Sequence, residues 1–163
     1  MDQIDRLSGI MPDSELYQIR RERPDFVDGT ELCRQTVLTP AHGFDLGHAL
    51  RAALAARMAR FLGHNDLSKA YDDMLAQAGA TPLLSGIAGG ADLPVDADGF
   101  LRAILRHVDL VTKTPRENTR ADIEALKAAG MSNPQIIALS ELIAFVNFEA
   151  RVIVGLEALG EVA

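Results

Sequence analysis

Residues 44–63 read FDLGHALRAALAARMARFLG, and this stretch decides the fold class. Its apolar positions Leu46, Leu50, Leu54, Met58 and Phe61 fall three or four residues apart, the spacing that lines side chains along one stripe of an α-helix. Gly63 follows as a stop, because glycine enters the left-handed conformation that closes a helix without a Cβ penalty. A strand would need alternation with a period of two, and no segment sustains one between hairpin turns. An all-α bundle follows.

The same spacing recurs on both sides. Downstream, Leu67, Ala70, Tyr71, Met74, Leu75 and Ala78 share one face of a helix over about 65–78, ended at Gly79. Upstream, Pro24 and Pro40 punctuate a helix over about 14–23 and another over about 24–38. Residues 81–98 carry two prolines with Gly86, Gly89 and Gly90 and little periodicity, which reads as one long loop. Beyond it, Leu101, Ile104, Leu105, Val108 and Val111 mark a helix capped by Asp96 or Asp98 and stopped before Pro115. Thr119 with Asp122 opens a short helix through Ala129, and Ser132 with Gln135 opens a long C-terminal one, both with capping-box spacing. Between Ile136 and Phe148 only Ser140, Glu141 and Asn147 are strongly polar. That helix should be buried on most sides, in the bundle or at an oligomer interface, and it is too interrupted to span a bilayer.

A chain of 163 residues is expected to form one domain over 1–163 and to bury about 70 per cent of its unfolded surface. Within it, 1–43 reads as an N-terminal helical extension, 44–80 as a motif region and 98–160 as the C-terminal helices. A net charge of −7 has the wrong sign for a nucleic-acid partner. Arg20, Arg21 and Arg23, interrupted by Glu22 and closed by Asp25, read as a solvated helix end. Cys33 is the single cysteine, which excludes an internal disulfide and a thiolate-built zinc site and fits a cytoplasmic setting. The default for it is a buried inert thiol, with Arg34 beside it as a group that could lower its pKa. No secretory signal is visible at the N-terminus, which has neither a basic run nor an apolar one.

Few residues offer chemistry. His64 and Tyr71 lie seven apart on one helix face with Leu67 and Met74, as an acid–base pair or, more plainly, as a helix cap and a core tyrosine. Arg57 or Arg151 could hold a ligand carboxylate. Ser140, Asn147 and Arg151 form a polar stripe on the C-terminal helix, structural if they satisfy neighbouring groups and functional if they line a pocket. His42 and His48, six apart, lack the spacing of a helical metal pair, and His107 reads as structural or surface. No metal or cofactor is expected. Nucleotide loops and the serine-hydrolase elbow are missing from the sequence.

Residues 101–156 resemble the second half of peroxidase-related proteins of the alkylhydroperoxidase D and carboxymuconolactone decarboxylase superfamily. The similarity rests on Val108-Asp109-Leu110-Val111-Thr112-Lys113-Thr114-Pro115, on Arg120 through Gly130, and on Ala144-Phe145-Val146-Asn147-Phe148 leading to Arg151 and Gly155. The resemblance implies an alkylhydroperoxidase-D-like helical bundle that assembles with copies of itself, or with a redox-active relative. It also implies a Glu ahead of a Cys-x-x-Cys-x-x-x-His helix. Laying the family glycine on Gly63 sets the two cysteines on His64 and Leu67, the histidine on Tyr71 and the glutamate near Ala52. All four are replaced, so dithiol peroxidase chemistry is not expected. Three functions remain: a binding or assembly module, a cysteine-independent acid–base enzyme on a small carboxylate or lactone using His64 and Tyr71, and a one-cysteine hydroperoxide reductase using Cys33.

Overall fold

A computed structural model describes residues 1–161 and is all-α, with no strand among them. The helices are α1 (Gln3–Leu7), α2 (Glu15–Arg21), α3 (Pro24–Leu38), α4 (His48–Phe61), α5 (Asn65–Gly79), α6 (Pro82–Ala88), α7 (Gly99–Lys113), α8 (Arg120–Ala128) and α9 (Asn133–Gly160), with a 3₁₀ turn at Pro115–Glu117 before α8. None of them is long and apolar enough to cross a membrane.

The bundle is built around α4. Ala52, Ala53, Leu54, Ala55, Ala56, Met58 and Ala59 are each at most 1% exposed, so this helix is buried all round rather than along one stripe. Its run of alanines lets α5, α6, α7 and α9 pack against it from different sides. It starts at His48 and not at Phe44, because Phe44 and Asp45 take left-handed backbone conformations (φ 51° and 62°) that no helix continues through. Arg51 locks the turn before it: the buried guanidinium donates to the carbonyls of Leu46 (2.7 Å), Val37 (2.8 Å) and Gly43 (2.9 Å).

Two expectations are corrected here. Residues 81–98 are not one loop, since α6 lies within them. The Thr81 hydroxyl accepts from the Leu84 N–H (3.2 Å), Pro82 fills the first helical turn, and Ile87 and Ala88 are buried. The glycines at 86, 89 and 90 obscured a helix that tertiary packing stabilises. Arg20 and Arg21 are not a solvated end. Arg20 pairs with Asp2 (3.2 Å) and Asp5, and Arg21 with Asp5 (2.5 Å), so both neutralise a fully buried carboxylate. Asp5 also completes, with Asp2, the capping box of α1, a helix with too few residues to show a period.

The 28-residue α9 runs about 42 Å along one side of the bundle. Leu139, Leu142, Val146, Glu149 and Ile153 form its buried face. Ile137 (58%), Phe148 (47%) and Val154 (53%) are exposed, so one chain covers this helix on one side only.

Candidate functional site

The region from Gly63 to Tyr71 is a packed core. Gly63, at φ 76°, turns the chain out of α4, and His64 becomes the N-cap of α5. Its Nδ1 accepts from the Leu67 N–H at 3.3 Å, which puts the ring proton on Nε2. Nε2 is buried without a hydrogen-bond partner, 3.9 Å from Glu157 Oε1. Leu67 and Tyr71 are fully buried, and the Tyr71 hydroxyl donates to Glu149, whose other oxygen accepts from Gln3 Nε2 at 3.3 Å. His64 and Tyr71 are both buried in the bundle, His64 as the cap ahead of the helix and Tyr71 within it.

Burial drives the titration behaviour of Tyr71 and Glu149. It pushes the Tyr71 phenol well above its ordinary range, with the neighbouring carboxylate acting in the same direction. It also raises the Glu149 carboxyl, against the opposing effects of the Tyr71 hydrogen bond and the Arg34 guanidinium. Glu149 is the residue that reading the sequence missed. The available signal was an acid in register with Leu142, Val146 and Ile153 on an apolar face.

Arg57 is not free to hold a ligand. Its Nε and Nη2 each lie 2.7 Å from an oxygen of Asp109 in a two-point fork, and Nη1 donates to the Ala91 carbonyl at 2.8 Å. The side chain is 4% exposed, so it is a buried tie between α4, α7 and the segment after α6.

Asn147 and Arg151 come together with groups that the sequence kept apart. Between α7, α8 and α9 lies a cleft of about 340 Å³ whose polar lining is His107, Asn118, Ser140, Asn147 and Arg151. Each α9 polar group first bonds its own helix: Ser140 Oγ to the Ile136 carbonyl (2.7 Å), Asn147 Nδ2 to the Ile143 carbonyl (3.0 Å), and Arg151 Nη1 to Asn147 O (2.7 Å) and Oδ1 (3.1 Å). His107, which could have been a surface residue, is 3% exposed, with Nδ1 buried and unpartnered. Burial pushes its pKa down, opposed by the Asp122 charge and assisted by Arg106. Burial thus disfavours the charged form of the imidazole in this wall.

A larger groove of about 760 Å³ separates α3 from α9, walled by Phe26, Leu32, Phe145 and Phe148. Cys33 lies in it and is exposed, not buried. Partial burial raises its thiol pKa, and the Glu141 carboxylate adds to the rise. Arg34 does not counter this, because it bonds Glu31 at 2.7 and 3.0 Å. His48 donates through Nε2 to the Pro40 carbonyl at 3.0 Å. Among the described residues no three His, Cys, Asp or Glu side chains converge in a metal-binding arrangement.

No protein-family model matches the chain, and no curated protein matches it.

Proposed function

We propose that this chain is a non-peroxidase member of the alkylhydroperoxidase D and carboxymuconolactone decarboxylase superfamily, keeping the helical bundle as a binding and assembly module. The carrying observation is that His64, Leu67 and Tyr71, at the positions of the family's cysteines and histidine, are wedged into the core, with Tyr71 bonded to Glu149. A thiol cycle needs an accessible thiolate and a resolving thiol, and the chain offers one cysteine with a raised pKa. The acid–base alternative on His64 and Tyr71 is less favoured, because His64 Nδ1 and the Tyr71 hydroxyl are engaged in structural hydrogen bonds.

The test is consumption of cumene hydroperoxide with dithiothreitol as donor. No turnover above the protein-free rate is expected, for the natural chain and for Cys33→Ser alike. Turnover that disappears in Cys33→Ser would overturn the reading in favour of a one-cysteine reductase.

Assembly with a second copy is supported by the α3–α9 groove, where Phe26 (59%), Leu32 (65%) and Phe148 (47%) leave large apolar side chains in water. Light scattering at micromolar concentration should give a multiple of 17.6 kDa, and Phe148→Glu should lower it. A clean monomer removes the assembly role.

A further inference from the structure

From the cleft between α7, α8 and α9 we infer a binding site for a small organic monoanion, its carboxylate at Arg151 and its apolar body against the cleft wall. The inference rests on the reading of the chain as a binding module and names the ligand class.

Charge is the first observation. The chain carries 23 acidic against 16 basic residues, so a groove taken at random on its surface is lined by acids. Four other grooves all contain acids: Asp25 and Glu141 in one, Asp2, Asp28 and Glu31 beside Arg6, Arg21 and Arg34 in a second, Asp66 and Asp73 beside Arg6, Arg34 and Lys69 in a third, and Asp45 in the last. This cleft contains no acid and one guanidinium. Among the described residues Arg151 forms no ion pair and uses only its Nη1, which leaves Nε–H and Nη2–H as a donor pair matched to a carboxylate.

The second observation is the wall. Val111, Pro115, Ile123 and Ile143 line it with apolar surface, and the about 340 Å³ enclosed is at the small end of the range for small-molecule sites, roughly 300–1,000 Å³. One positive charge beside apolar side chains suits a singly charged carboxylate with a hydrocarbon or aromatic body. A phosphate dianion would find a single cation and no lysine.

The third is the set of neutral polar groups. Asn118 and Asn147 offer carboxamides, and His107 lines the same cleft with a buried Nδ1 that has no partner among the described residues. Buried polar atoms are ordinarily paired, so an unpaired one in a cleft wall marks a place where a bound molecule or an ordered water completes the bonding.

The experiment is a titration of the isotope-labelled full chain with benzoate, followed by NMR, with benzamide as the uncharged control. Benzoate should shift the Arg151 Nε–H, the Asn118 and Asn147 side-chain amides and the His107 ring. Arg151→Gln should weaken binding about tenfold, Arg151→Lys less, and benzamide should bind more weakly than benzoate. Arg151 is exposed, so neither variant should disturb the fold, and an unchanged melting temperature checks this. Asn147→Ala, also expected to weaken benzoate, is the second variant. Equal responses to benzoate and benzamide, unchanged affinity in Arg151→Gln, shifts at the Cys33 groove alone, or no shift at all would each overturn the inference. Peroxide turnover would overturn the non-peroxidase reading instead, so the two failures are distinguishable.

Discussion

The Tyr71 hydroxyl donates a hydrogen bond to the Glu149 carboxylate in the centre of the bundle, joining residues 78 positions apart with neither side chain reaching water. It ties α5 to α9, and Gln3 from α1 closes the other carboxylate oxygen. Each group of this cluster exists to satisfy another, because a buried carboxylate without donors is strongly unfavourable.

Tyr71→Phe removes the donor and leaves a buried acceptor oxygen unpaired. Chemical denaturation should show a loss of about 1–3 kcal/mol. A loss within error would mean that the hydroxyl is not coupled to Glu149.

The pH dependence of stability has a defined sign at Glu149. Its carboxyl pKa is raised above 4.5 in the folded chain, so between the unfolded and folded values the native state holds more protons and stability falls as pH rises. Its contribution is therefore greatest below 4.5 and is lost as pH rises through the folded value. Glu149→Gln should flatten that part of the stability profile measured by urea unfolding.

His107 acts in the opposite direction. Burial lowers its pKa below 6.5, so the unfolded chain takes up the proton first and stability declines as pH falls from 6.5 toward the folded value. NMR titration of the ring should place its midpoint below 6.5, and a midpoint above it would contradict the burial.

Asp109→Asn leaves the Arg57 guanidinium buried with carbonyl partners only. The cost expected from thermal unfolding is on the order of 3 kcal/mol, since removing one partner of a buried pair strands the other charge. An exposed pair such as Lys69–Asp73 should lose less than about 1 kcal/mol on the equivalent change.

Cys33 should alkylate slowly at neutral pH despite being exposed, because its raised pKa keeps the thiolate scarce. Glu141→Gln should accelerate the reaction with iodoacetamide. A rate faster than that of free cysteine would indicate an activated thiol.

The sequence alone determined the helical class, the ends of most helices and the absence of a cysteine pair. Capping boxes at Thr119–Asp122 and Ser132–Gln135 and left-handed turns at Gly63 and Gly79 act within four residues, so a linear reading finds them. Tertiary structure alone decided that α4 is central, that α6 exists, that Arg57 is taken by Asp109 and that Arg151 pairs with no acid among the described residues. It also put Cys33 in an open groove and Glu149 against Tyr71. Those outcomes depend on side chains brought together across 52 and 78 residues, and no local rule of spacing or propensity reaches that far.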